Sequence, residues 1–382
     1  MPAEIHYAQI AGLMPCDERS VQETVDCGAP AWASQSTPSR RSARMTDPTQ
    51  NRTAADSPLH GAPFLAADVG GTHARLALVR RSADGDIEVL AHHVYQGGAF
   101  ASFEAIVADF VARHAQPAPR DIVIATTGVV RGDTVINNNL PWTLSGAALR
   151  AQGFAEVALV NDFAAAANAG QCLRRERCRS LGGFDGDAEP GPSLVVGPGT
   201  GLGSALRAPC RGEVLVLPGE AGQMSFAPGT PREVALLQAW MADTSYVSCE
   251  QVISGPGLLK TYATLCRIDG AEARRQTPAE VVEAARRGDD AHALEAVRIF
   301  CAVLGGVLAD LVMAHGATSV FVAGGMAPRL LDFFPQSDFH ARFLDKGVMR
   351  EVLERVPVRL VEDPHQGVIG AASWHLQRLA NT

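Results

Sequence analysis

From Phe64 onward, short apolar runs alternate with stretches of helical period. Phe64 to Val69 is a compact apolar run, and it leads into Asp68-Val69-Gly70-Gly71-Thr72. Ala74 to Arg80 and Ile87 to Tyr95 alternate well enough for two more strands. With Gly-rich and Asp-Gly turns between them, the three predict a meander of paired strands. Ser102 to His114 places Phe103, Ile106, Val107, Phe110 and Val111 at helical spacing, with Ser102 as the cap. Asp121 to Thr126 and Glu156 to Val160 are expected to be buried strands, with a helix between them near Leu144 to Ala151. Such alternation predicts an α/β domain.

A second stretch begins near Cys172. Ser193 to Val196 and Glu213 to Leu217 predict strands with a long glycine loop between them. That loop runs into Ala205-Leu206-Arg207, which itself has strand character. After Pro231 the pattern turns helical. Ala291 to His315 is apolar at nearly every turn, which predicts a long buried helix ended by Gly316. Ser319 to Ala323 predicts a strand followed by Gly324-Gly325, and Val368 to Leu379 a final helix. No short solenoid repeat is present. Both stretches open with a strand and a Gly-rich turn, as distant duplicates would. Residues 1–61 differ: from Cys27 to His60 they are rich in Ala, Ser, Thr, Pro, Asp and Arg. Such a segment buries too little to offset its ordering entropy, so disorder is expected. Met45 within it is an alternative start.

Composition narrows the function classes. The 382 residues are 47% hydrophobic and 19% charged, enough for a sizeable core. No uninterrupted apolar run approaches the roughly 18 residues of a membrane span. A net charge of −8 with no basic stripe argues against nucleic acid as the partner. The eight cysteines form no C-x-x-C and no zinc-type cluster. A secretory signal is not evident at the N-terminus, so a cytoplasmic protein is expected.

Chemistry concentrates at three glycine turns that follow expected strands: Gly70-Gly71-Thr72, Gly197-Pro198-Gly199-Thr200-Gly201-Leu202-Gly203, and Gly324-Gly325. Without Cβ, backbone N–H groups can converge on an anion, so the shared expectation is a phosphate ligand. Other nucleotide signatures fail. The Lys260-Thr261 pair follows Leu259 rather than glycine, which excludes a Walker A loop. The dinucleotide fingerprint meets Leu202 or Ser204 where its last glycine should stand. Neither Lys260 nor Lys346 lies in a strand suited to a protein kinase. What remains is a phosphate site of amides and hydroxyls, with Mg²⁺ supplying most of the positive charge and Asp68 placed to bind it.

At these residues the chain resembles the bacterial glucokinases, ATP-dependent members of the actin-like hexokinase superfamily. The likeness runs from about Phe64 to the C-terminus. It is carried by Asp68 to Thr72, Leu159-Val-Asn161-Asp162-Phe163, Gly197 to Gly203, Leu217-Pro-Gly-Glu220, Glu250-Gln-Val-Ile-Ser254-Gly-Pro-Gly257 and Phe321 to Arg329. The resemblance implies two actin-like (ribonuclease H-like) α/β lobes around a cleft. The small lobe would span 62–172 and regain the C-terminal helix of 362–382. The large lobe would span 173–361, and the chain would form a homodimer. It also implies a cytoplasmic enzyme of glycolysis that uses ATP and Mg²⁺ to phosphorylate a hexose 6-hydroxyl, most simply that of glucose. Asp162 would be the general base, and Asn139, Asn161, Glu220, Gln223 and Glu250 the sugar contacts. Asp162 ends an expected buried strand, where α/β sheets place ligands.

Some positions depart from the family pattern. Its Glu-Gly-Gly-His reads Glu220-Ala221-Gly222-Gln223, its Asn-His-Thr-Trp reads Asn139-Leu140-Pro141-Trp142, and His73 stands where Asn is usual. The alternatives are a kinase for another hexose or amino sugar, and a non-catalytic sugar or nucleotide sensor derived from a kinase.

Overall fold

A computed structural model describes residues 62–115, 117–136, 140–210 and 213–380. The disorder expected over 1–61 lies outside the described residues. Three strands open the fold: β1 (Phe64–Val69), β2 (His73–Arg81) and β3 (Ile87–Gln96). Helix α1 (Phe103–His114) follows, and the Ser102 hydroxyl accepts the Ala105 N–H at 3.2 Å as its cap. Next come β4 (Asp121–Thr126), a hairpin of β5 (Val129–Arg131) and β6 (Thr134–Ile136), α2 (Gly146–Ala151), β7 (Glu156–Asn161) and α3 (Asp162–Asn168). The first sheet has the order β3-β2-β1-β4-β7. Its β1–β2–β3 meander is antiparallel, and β1, β4 and β7 run parallel.

The second sheet repeats this plan. Its strands are β8 (Cys178–Ser180), β9 (Ser193–Pro198), β10 (Leu202–Cys210), β11 (Glu213–Gly219), β12 (Ser319–Val322) and β13 (Val358–Val361). The order is β11-β10-β9-β12-β13-β8. Again an antiparallel meander, β9–β10–β11, adjoins parallel strands, β9–β12–β13. The two halves are thus topological duplicates, with β8 added at one edge.

Helices α4 (Pro231–Met241), α5 (Gly255–Ile268), α6 (Pro278–Arg287), α7 (Ala291–His315), α8 (Phe339–Leu344) and α9 (Arg350–Leu353) precede a final α10 (Gln366–Ala380). Helix α7 ends on Gly316 at φ 60°, a left-handed cap that favours glycine. It is long and apolar enough to cross a bilayer, yet it packs into the core against α5, α6 and α8.

Strand periodicity sorts the core into layers. Leu65, Ala67, Ile122, Ile124, Val157 and Leu159 face α1 and α2. Phe64, Ala66, Val123, Ala125, Ala158 and Val160 face the other way, onto α3 and α10. From the second sheet Val195, Ala205, Phe321 and Val361 meet the same two helices. Leu194, Val196, Val320, Val322, Val358 and Leu360 face the α4–α8 side. Helices α3 and α10 therefore lie between the two sheets, and the C-terminal helix packs against β1 and β4 of the first. The long glycine loop expected between two strands is in fact short. Strand β10 occupies most of it, so Gly197 and Gly203 are a cross-strand pair and only residues 199–201 turn the corner.

Candidate active site

The alternation that buries Phe64 and Ala66 on the inner face of β1 carries Asp68 to that same face at the strand's end. Register pairs Asp68 with Arg75 of β2, and Arg75 Nη1 donates to Asp68 Oδ2 at 3.2 Å. Across from it, a methyl group on Gly367 in the first turn of α10 would come within 2.6 Å of the Asp68 carboxylate. Glycine there lets the helix start close in on the acid. Burial raises the Asp68 carboxyl above the usual carboxylate range, and the Arg75 guanidinium opposes that shift.

Strand β7 ends on Asn161, whose side-chain oxygen accepts the N–H groups of Phe163 at 3.0 Å and Ala164 at 3.1 Å. Asn161 is thus the N-cap of α3, and it positions Asp162 as that helix's first residue. Asp162 Oδ1 accepts the Phe163 N–H at 3.0 Å. Its pKa is pushed up to about 6, first by burial and then by the negative charge of Asp68, with a smaller push from Glu220. Hydrogen bonding to the Phe163 N–H works against the rise. The result is a carboxylate poised near neutrality, the range that suits a general base.

Phe163 then locks this acid to the second sheet. Its ring fills a notch on the inner face made by Gly197 of β9 and Gly203 of β10. A Cβ at Gly197 would stand 2.7 Å from the ring, and one at Gly203 only 1.9 Å. These two glycines are explained by packing, while Gly199 and Thr200 remain at the turn. Gly201 is crowded by Glu250, whose carboxylate accepts the Leu202 N–H at 2.9 Å and also lies against Gly222. The Gly199 carbonyl accepts the Gly255 N–H at 2.8 Å, and the Pro198 carbonyl accepts the Met326 N–H at 3.1 Å. Gly324, at φ 82°, lies against the Pro198 carbonyl. The second and third glycine turns, the start of α5 and Glu250 therefore form one bonded unit.

The structure thus brings Asp68, Asp162 and Glu220 within electrostatic reach of one another and joins Asp162 through Phe163 to the second glycine turn. Glu220 and Gln223 bracket a 3-10 turn after β11, closed by the Gln223 N–H to the Glu220 carbonyl at 2.9 Å, and both side chains are exposed. Asn139 lies outside the described residues. In the first turn, the Gly70 N–H bonds the His73 carbonyl at 3.0 Å, and Gly71 and Thr72 are exposed. Sequence reasoning missed Arg75, Phe163 and Gly367. Arg75 was findable, because the period of β2 puts it on the inner face opposite Asp68. Gly367 gave no local signal, since its partner lies 299 positions away (367 less 68).

The residues fit a magnesium nucleotide. Asp68 is a hard oxygen donor whose side chain is 22% exposed. A Cβ at Gly199 or Gly325 would meet nothing within 4 Å, so both turns face open space. Among the described residues no cluster of three or more metal-ligating side chains occurs. A single carboxylate suits Mg²⁺, which keeps waters and phosphate oxygens in its shell.

Similarity to known proteins decides the family. A family model described as Glucokinase matches residues 65–378. The chain belongs to the glucokinase family. A glucokinase-like protein of Xylella fastidiosa is 40% identical over 338 residues, covering 87% of this chain and 99% of the relative. The glucokinase of Saccharophagus degradans is 34% identical over 315 residues, 82% of this chain and 98% of its own. Among solved structures, a glucokinase from an Antarctic psychrotroph superposes with a TM-score of 0.73 at 30% identity, covering 85% of this chain and all of the other. The duplicated sheets with two helices between them are thus the actin-like kinase fold of this family.

Proposed function

We propose that this member of the glucokinase family transfers the γ-phosphoryl group of ATP to the 6-hydroxyl of a hexose, glucose first among them, with Asp162 as general base. One observation carries the reading. A half-buried carboxylate raised to about 6 stands at a strand end, beside a second carboxylate and tied by its neighbour's ring to an open glycine turn. Transfer to an alcohol needs a proton acceptor at the nucleophile and neutralised charge on the phosphates. ATP supplies the phosphoryl group and Mg²⁺ its charge neutralisation.

This chain's residues do the rest. Gly70, Gly71 and Thr72 from the first turn and Gly199, Thr200 and Gly201 from the second offer amides and hydroxyls to phosphate. Gly324 and Gly325 border the nucleotide, and Asp68 holds the metal. Asn161, Glu220, Gln223 and Asn139 hydrogen-bond the sugar hydroxyls, and Asp162 takes the proton as the hydroxyl attacks. Glu250 fixes the sugar-side turn and the second phosphate turn together. Residues 62–172 with 362–382 form one lobe and 173–361 the other, and their closure keeps water from competing for the phosphoryl group.

Gln223 and Leu140 sit where the family pattern has His, and they favour a second reading of altered sugar choice or lost catalysis. Gln223 can still donate and accept hydrogen bonds, though it cannot carry a proton. A coupled assay of ADP release over a panel of hexoses and amino sugars separates these readings. Turnover strongest with glucose supports the first. Turnover with another sugar alone reassigns the substrate, and no turnover with any sugar, despite nucleotide uptake, supports a sensor.

A further inference from the structure

Trp142 stands three residues after Asn139, and its indole is spent on a different part of the chain. The indole N–H is shared between the carbonyls of Gly97 and Phe100, both at 3.2 Å. These residues bound the 3-10 turn that follows β3. The ring packs against Gly97, where a Cβ would stand 3.1 Å from Cζ2, and Pro141 closes the same spot at 3.3 Å. Phe103 tilts against the indole from α1, with centroids 5.8 Å apart. Gly97 in turn donates its N–H to the Thr72 carbonyl at 2.9 Å. Thr72 belongs to the first phosphate turn. A continuous chain of contacts thus runs from Pro141-Trp142, through the Gly97 peptide, to Thr72.

We propose that Trp142 is a positioning residue that couples the segment following Asn139 to the first phosphate turn, so that sugar and nucleotide each tighten the other's binding. This rests on the kinase reading above. Gly97 is suited to the joint because a Cβ there would press on both the indole and the Pro141 ring, which would have to give by a few tenths of an ångström and so strain the shared hydrogen bonds. The bifurcated N–H fixes the 97–100 turn, and that turn fixes the Thr72 backbone. A sugar that holds residues 140–142 in place therefore holds the Thr72 peptide before nucleotide arrives. Linkage makes the effect reciprocal. A tryptophan serving only to fill space would stabilise the fold without linking the two affinities.

The test is isothermal titration with the non-hydrolysable analogue AMP-PNP and Mg²⁺, with and without saturating glucose. The wild type, Trp142→Phe and Gly97→Ala are compared, each checked for a wild-type circular dichroism spectrum. Phe keeps the ring but lacks the N–H. In the wild type, glucose tightens the analogue by about fivefold or more, the scale of ordinary site–site coupling. In Trp142→Phe each ligand alone binds within about twofold of wild type, while the mutual tightening falls below about twofold. Gly97→Ala, which disturbs the same joint from the other side, does the same. In turnover assays the KM for ATP at saturating sugar rises while kcat changes less.

Undiminished tightening in a folded Trp142→Phe overturns the proposal. So does a wild type that binds both ligands independently, or a Trp142→Phe that loses either ligand outright. A wild type that takes up neither ligand overturns the kinase reading, and this inference with it.

Discussion

Gly203→Ala probes the contact that joins Asp162 to the second glycine turn. The added Cβ would lie 1.9 Å from Phe163 Cε2 and 2.0 Å from Cδ2. Ordinary van der Waals contact begins near 3.4 Å, so the ring must retreat by about 1.5 Å. Gly197, the cross-strand partner of Gly203, lines the same notch, so the whole ring edge rather than one atom is displaced. Phe163 directly follows Asp162, and its N–H holds both Asn161 Oδ1 and Asp162 Oδ1. Moving the ring therefore drags the first turn of α3.

Overpacking of this kind costs about 1–3 kcal/mol of stability. A shift of about 1 Å at a reacting group costs on the order of 100-fold in rate. Thermal melting and ADP-release kinetics measure both. Phe163→Ala is expected to impair the enzyme by itself through the void it leaves. Adding Gly203→Ala to it is expected to do no further harm, so the double-mutant cycle shows coupling. A Gly203→Ala enzyme with wild-type melting and kcat would refute the wedge, because the ring would then be moving aside without disturbing Asp162.

Three further outcomes follow from the same geometry. With the Asp162 carboxyl raised to about 6 and proposed as the base, kcat/KM should climb as pH rises through about 6 and level off above it; a flat profile from pH 5 to 8 contradicts the assignment. Glu250→Ala removes the acceptor of the Leu202 N–H, so KM should rise for nucleotide as well as sugar, with about 1–3 kcal/mol of stability lost; a change confined to the sugar KM would show that the carboxylate does not support the phosphate turn. His375 on α10 is 1% exposed, its two ring nitrogens have no hydrogen-bond partner, and burial lowers its pKa from 6.5 to about 4. It stays neutral in the fold and takes a proton when unfolded, so stability is full above pH 6.5 and declines as pH falls from there towards 4. The loss amounts to about 3 kcal/mol. His375→Leu should flatten that limb in denaturant titrations, and an unchanged acid limb would count against the buried neutral imidazole.

Much of the fold was legible because its strands have two unlike faces. Phe64 to Val69 and Asp121 to Thr126 were bounded correctly from apolar runs alone. Ala291 to His315 was bounded by its length and by Gly316. Strand β10 was partly hidden because glycines that admit an aromatic ring resemble glycines that bind phosphate. Only the position of Phe163, 34 residues upstream of Gly197 and 40 upstream of Gly203, distinguishes them. The short β13, Val358–Val361, went unread because four residues between helices carry little periodic signal.

The site divides in the same way. Asp68 and Asp162 declared themselves by standing at strand ends. Arg75 and Gly367 act through contacts that only the register of β1 with β2 and the return of α10 create. Asn161 was expected to touch sugar, and its side-chain oxygen is also the cap of α3. Glu250 was expected beside sugar, and its carboxylate accepts the Leu202 N–H where β10 leaves the second glycine turn.

The most direct measurement compares Asp162→Ala with the wild type in a glucose-dependent ADP-release assay, alongside titration of each with Mg²⁺ and AMP-PNP. The account predicts that the variant loses at least about 100-fold in kcat, the lower bound for a removed general base, while its nucleotide affinity stays close to wild type. Near-normal glucose phosphorylation by the folded variant would contradict it.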